Sequence, residues 1–251
     1  MSAAALRLHA VPPSELAGVW RGTELARQTQ ATLSTGHAVL DQELPGGGWP
    51  LGQLTEILQV QAGLHEWRLL LPALRAALQQ GPLVLIGPPH LPNLPALASL
   101  GIAPERVLRI EARTPAERLW AAEQTLRCRE LGALLAWLPQ ARSEQLRRLQ
   151  LAAGSAQALV CVLRPDAARH ESSPAPLRLA LQAGAGTALA VEIIKRRGPA
   201  AQQPLALAAP LPVLAALRAR KPAPKEAPHA VDRPLRARTE RQPPARASAT
   251  S

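Results

Sequence analysis

A chain of 251 residues provides one sizeable domain, or one domain with appendages. Apolar residues make up 47%, enough for a packed core, but Phe and Tyr are absent, so Leu, Ala and Val must build it. The formal charge of +11 marks a basic protein, and two cysteines, Cys128 and Cys161, exclude a disulfide framework and a four-cysteine zinc site. No apolar run approaches the roughly 18 to 20 residues of a membrane helix, and residues 1–10 lack the charged start and long apolar stretch of a secretory signal. The expectation is a soluble, cytoplasmic protein.

Residues 1–32 are a weakly patterned lead-in, in which 15–26 could form a short helix carrying Trp20 and Leu25. Residues 33–52 are loop-rich, dense in Gly and Pro, and 54–60 read as a buried strand between Gly52 and Gly63. Over 66–80, Leu70, Leu71, Leu74, Ala77 and Leu78 recur at helical spacing. Gly81 supplies a stop, and Pro72 either starts or kinks that helix. Residues 83–87 and 107–110 read as short strands. Thr114, Pro115 and Glu117 then make a capping-box helix start, with Leu119, Ala122 and Leu126 inward and Gly132 as its end. A strand at 133–138 follows. Ser143 caps a helix carrying Leu146, Leu149 and Ala153, closed by Gly154, before a strand at 158–163. Alternation of this kind predicts a parallel sheet covered on both faces. After Pro174 the pattern changes to strands at 177–182, 188–196 and 205–208 joined without helices, with a turn at Gly184 and Gly186. The fold class expected is α/β with a C-terminal antiparallel extension.

The charge is concentrated at the end of the chain. Residues 218–251 hold nine Lys or Arg, three acids and six prolines, with almost no bulky apolar group. Such a segment buries too little surface to offset the entropy of ordering, so it reads as a disordered Pro/Arg/Ala-rich basic tail. Its function would be capture of nucleic acid or an acidic partner through Arg218, Arg220, Lys221, Lys225, Arg233, Arg236, Arg238 and Arg241. The bland alternative is a solubilising tail. Lys195, Arg196 and Arg197, before Gly198 and Pro199, would make a phosphate or acidic-partner contact, or else a solvated strand end.

A set of residues at the start of the body carries a resemblance. Ser34-Thr35-Gly36, Leu40-Asp41, Gly46-Gly47-Gly48, Pro50 and Gly52-Gln53-Leu54-Thr55-Glu56-Ile57 are similar to the entry of a RecA-type ATPase core. With the degraded nucleotide loop that follows, and with the late stretch 190–200, the chain resembles the ImuA family of the SOS translesion-synthesis cassette, sometimes labelled SulA-like. The resemblance covers roughly residues 33–210. It implies a RecA-like domain over 33–217 with a degenerate nucleotide site, between the 1–32 lead-in and the 218–251 tail.

Chemistry tests that resemblance. A working phosphate loop needs a glycine-rich turn, a Lys for the phosphates and a Ser or Thr hydroxyl for Mg²⁺. Here the strand runs into Gln59-Val60-Gln61-Ala62-Gly63-Leu64, and His65, Glu66 and Trp67 stand where the lysine and hydroxyl would fall. The strand ending at Trp137-Leu138 has no carboxylate for the metal, and the one ending Gly87-Pro88-Pro89-His90 has no catalytic acid. The expectation is a chain that does not hydrolyse ATP and needs no cofactor. Other constellations are weaker. Gly46–Gly48 precedes the strand and reads as a structural turn; His37, His65 and His90 are scattered, without zinc spacing. Asp41 reads as a local turn or cap bond, Cys161 as core, and Cys128, beside Arg127 and Arg129, lacks a visible base. Core packing is expected of Trp49 and Trp67, which could also cover the vacant site.

The function implied by the resemblance is a non-catalytic adaptor in damage-induced mutagenesis. Its implied partners are RecA, an ImuB-type inactive Y-family polymerase and a DnaE-type error-prone polymerase, with the protein near the nucleoid during DNA damage. Two alternatives stay open: a DNA-dependent ATPase or recombinase with an atypical loop, and a cell-division inhibitor as the SulA-like label suggests.

Overall fold

A computed structural model describes residues 31–201 and 203–208. Its elements in chain order are β1 (Thr32–Leu33), α1 (Ala38–Glu43), β2 (Trp49–Pro50), β3 (Leu54–Gln59), α2 (Glu66–Ala77), β4 (Leu83–Ile86), α3 (Leu94–Ser99) and β5 (Val107–Ile110). There follow α4 (Pro115–Leu126), β6 (Ala133–Trp137), α5 (Ser143–Ala153), β7 (Leu159–Pro165), β8 (Leu177–Ala183), β9 (Leu189–Lys195) and β10 (Leu205–Leu207). Eight strands form one sheet in the order β10-β9-β8-β3-β7-β6-β4-β5, parallel from β8 to β5 and antiparallel across β8-β9-β10. The α/β architecture with an antiparallel extension is therefore present.

Alternation along the strands divides the core into two layers. Leu83 and Leu85 on β4, Leu135 on β6 and Cys161 on β7 pack with Leu69, Leu70 and Leu74 of α2. Their neighbours Val84, Ile86, Leu134 and Val160 pack on the other face with Leu119 and Leu126 of α4 and Leu146 and Leu149 of α5. Strands buried on both faces need continuous apolar runs, which is why β4 and β6 read LVLI and ALLAW. Leucine does the work that aromatic residues share elsewhere, each buried side chain contributing roughly 1.5–3 kcal/mol. Burial pushes the Cys161 thiol far above its ordinary range, as suits a core residue.

Five expectations are corrected. Residues 33–52 are not simply loop: β1 pairs antiparallel with β2, and α1 lies between them. Two-residue strands and a six-residue helix are too short to leave a periodic signal. β8 belongs to the parallel sheet beside β3, because residues 166–176, with a 3-10 turn at Asp166–His170, carry the chain across without a full helix. The antiparallel part begins only at β9. α4 stops at Leu126, well short of Gly132, and α2 stops at Ala77 rather than near residue 80. Ser143 is the first helical residue of α5 and not its cap; the Arg142 N–H is instead held by the Gln145 side chain at 2.8 Å. The Thr114–Glu117 capping box forms as expected, with the Glu117 N–H donating to Thr114 Oγ1 at 3.2 Å. Residues 1–30 and the tail lie outside the described residues.

Candidate functional site

The loop from β3 into α2 sits at the carboxyl end of the sheet, where open α/β folds place their ligands. From β3 the chain passes over β7 and β6 to reach β4, so the loop, the end of β4 and the end of β6 converge. At its centre is Glu66, the first residue of α2, with no solvent exposure. Its carboxylate accepts the Gly63 N–H at 2.7 Å and the His65 N–H at 3.1 Å, and the Trp137 indole N–H donates to it at 3.1 Å. Backbone amides at the start of a 12-residue helix are an anion cradle. In this chain the anion is covalently part of the loop. Gly63 adopts φ +89°, and a Cβ there would meet the His90 ring at 2.7 Å, so only glycine keeps the turn and the close approach.

The flanking groups complete a self-contained arrangement. Arg68, buried, donates to the Thr187 carbonyl at 2.6 Å and ties α2 to the β8–β9 turn. Burial, with the neighbouring Arg68 charge, holds the His65 imidazole below its ordinary pKa against the opposing pull of Glu66. Trp137, where a metal-binding acid was sought, supplies a neutral donor to Glu66 instead. Trp67 and Trp137 line a cleft of about 240 Å³ with Leu64, Leu71, Leu97 and Pro89. Trp49, by contrast, is wholly buried in the core. Among the described residues no group of three His, Cys, Asp or Glu stands close enough to hold a metal ion, and no helix is long and apolar enough to cross a membrane.

The entry motif resolves into local structure. Asp41 accepts from Ser34 Oγ at 2.7 Å and from the Thr35 N–H at 2.8 Å, fixing the turn into α1. Burial works to raise its pKa, but the bonds from Ser34 and Thr35 outweigh it and hold the carboxyl below its ordinary value. Gly46 and Gly47 both lie at positive φ in the turn into β2, and a Cβ on Gly48 would strike the Leu33 carbonyl at 2.3 Å. These glycines shape a turn rather than a phosphate cradle.

The basic turn lies at the other end of the sheet, because β9 runs antiparallel to β8 and brings Lys195 opposite Arg178. Its cations already serve the chain. Lys195 Nζ donates to the Ser173 carbonyl at 2.9 Å, and Arg196 binds the Glu43 carboxylate at 2.7 Å, the Glu43 carbonyl and the Pro199 carbonyl. Arg197 is exposed beside them. The tail cations from Arg218 to Arg241 lie outside the described residues.

Sequence reasoning missed a second buried carboxylate. Glu56 on β3, without solvent exposure, accepts from Arg164 of β7 at 2.7 Å and from Arg178 of β8 at 2.7 Å. Arg164 also reaches Glu171 at 2.6 Å, and Arg178 donates to the Ala168 carbonyl at 2.9 Å. Charged residues inside otherwise apolar strands, Arg164 and Arg178 above all, were the available signal. No family model matches this chain, and no curated protein matches it in sequence.

Proposed function

We propose that this chain is a non-catalytic docking protein of damage-induced translesion DNA synthesis, built on a RecA-like body of the ImuA type. The observation that carries the reading is the Glu66 carboxylate, which takes the loop amides a phosphate would need. A nucleotide entering there would meet a buried negative charge and find its donors engaged. The body then presents one fixed surface to its partners, the RecA filament and the error-prone polymerases, in the cytoplasm near damaged DNA. The pathway itself rests on the entry motif and the degraded loop.

Two measurements on the full chain test it. Titration with a fluorescent ATP analogue and Mg²⁺ is expected to give no saturable binding into the millimolar range; micromolar affinity would favour the ATPase reading. Co-sedimentation with RecA filaments on single-stranded DNA is expected to bring the protein down without added nucleotide exchange on its own part. Failure to bind either filament or polymerase would overturn the docking role.

A further inference from the structure

Half of the eight large apolar side chains exposed among the described residues crowd one place. Val60 and Leu64 stand on the β3–α2 loop, Leu91 on the segment between β4 and α3, and Leu94 at the first position of α3, with Val60 and Leu91 at 78% and 75% exposure. The two segments are the walls of the cleft above Trp67 and Trp137, and Gly63 packs against His90 where they meet. A mostly apolar hollow with an apolar rim fits apolar side chains; its polar lining is His90, Asn93, the carboxylate of Glu66 that the loop amides already occupy, and Arg68, which donates to the Thr187 carbonyl.

We propose that residues 15–26 of the same chain seat in this cleft, with Leu16, Val19 and Trp20 as its anchors; the inference rests on the reading that the loop takes no nucleotide. The spacing i, i+3, i+4 puts those three side chains on one helical face. Trp20 is the one Trp, Phe or Tyr among residues 1–30. The chain also enters from the correct side. The Leu51 N–H holds the Ala31 carbonyl at 3.0 Å near the start of β3, and Gly36 rests on Pro72, next along α2 from the cleft residue Leu71. To reach the cleft the segment must climb the length of α2, about 18 Å at helical rise. Trp20 lies eleven positions before Ala31, a stretch that spans at most about 36 Å when extended. The chain beyond residue 208, in contrast, departs from β10 at the far edge of the sheet.

Hydrogen–deuterium exchange on the full chain, read by mass spectrometry, decides the matter. Residues 15–26 are expected to exchange at least about ten-fold more slowly than their intrinsic rates, a protection that bound helices acquire. Trp20→Ala should raise exchange at residues 64–71 and 88–97. Ala96→Arg, at an exposed position on the cleft wall, should return residues 15–26 to free exchange. Unchanged protection in β8 and β9 verifies that this variant is folded. Free exchange of 15–26 in the unmodified chain overturns the proposal, as does protection that Ala96→Arg leaves intact. Protection that grows with protein concentration means a second copy fills the cleft and also overturns it. A separate arm with saturating ATP analogue and Mg²⁺ tests the underlying reading: slowed exchange over residues 60–66 would refute that reading, whatever the variants do.

Discussion

Glu56 and Glu66 lie ten positions apart, one within β3 and one just beyond it, and neither has any solvent exposure. Glu56 is neutralised by two guanidinium groups from the neighbouring strands, so it joins β7, β3 and β8 into one sheet. For Arg164 the cost of burial is outweighed by its bonds to Glu171 and Glu56, and its pKa rises. Glu66 is held, among the described residues, by two backbone amides and an indole rather than by a guanidinium. One carboxylate is a rivet between strands. The other closes a loop onto itself, taking the amides that a phosphate would need on the proposed reading.

The strongest way to break that comparison is Glu56→Ala. It strands two buried arginines, and breaking a buried ion pair costs about 3–5 kcal/mol. Denaturant unfolding would measure it; a loss below about 1 kcal/mol, the scale of an exposed pair, would mean the network is not buried in solution. Glu66→Ala should cost less, about 1–3 kcal/mol, for the loop donors left without an acceptor. Its distinguishing mark is rescue: millimolar phosphate or sulfate should raise the melting temperature of this variant and not of Glu56→Ala. Equal response of the two would erase the distinction.

Gln59, one turn of the pleat beyond Ile57 on the same strand, sharpens the comparison with a change of opposite sign. Its amide is buried, and neither its nitrogen nor its oxygen has a partner among the described residues. Gln59→Leu should stabilise by about 1 kcal/mol, since a similar volume replaces an unpaired polar group. The Glu66 loop also has a pH signature. Because the folded protein holds His65 below its ordinary value of 6.5, the unfolded chain takes up a proton first as pH falls. Stability should therefore decline from pH 7 towards pH 5, and His65→Gln should flatten that slope. The smallest effect is expected at Arg196→Ala, about 0.5–1 kcal/mol for a partly exposed pair with Glu43. Any loss of DNA binding in that variant beyond its loss of stability would mark the basic turn as a contact.

The large elements were legible because their signals are periodic. The apolar runs of β4 and β6, the alternating buried and half-buried residues of β9, and the capping box of α4 each follow from rules that operate within a few residues. What escaped depended on distance along the chain. Glu56 meets Arg164 and Arg178 across gaps of 108 and 122 residues, and no local pattern announces either bond. The candidate site was half legible. The missing lysine and the intruding Glu66 stand plainly in the sequence, but they read as an obstruction. That the carboxylate turns back onto its own loop, and that Trp137 reaches it from β6 across 71 positions, is visible only once the strands are in order. At the basic turn, likewise, a run of three cations says nothing of the Ser173 and Pro199 carbonyls that fold up against Lys195 and Arg196.

A loop that carries its own counter-ion has no empty state. A loop that bound a free nucleotide would change shape as the ligand came and went, and its assemblies would answer to the supply of that ligand. Here Gly63, His65 and Trp137 are satisfied from the moment the strands meet. If the loop takes no nucleotide, as proposed, the extent of binding to any partner is governed by how many copies of the chain are present, and its control lies in synthesis rather than fuel.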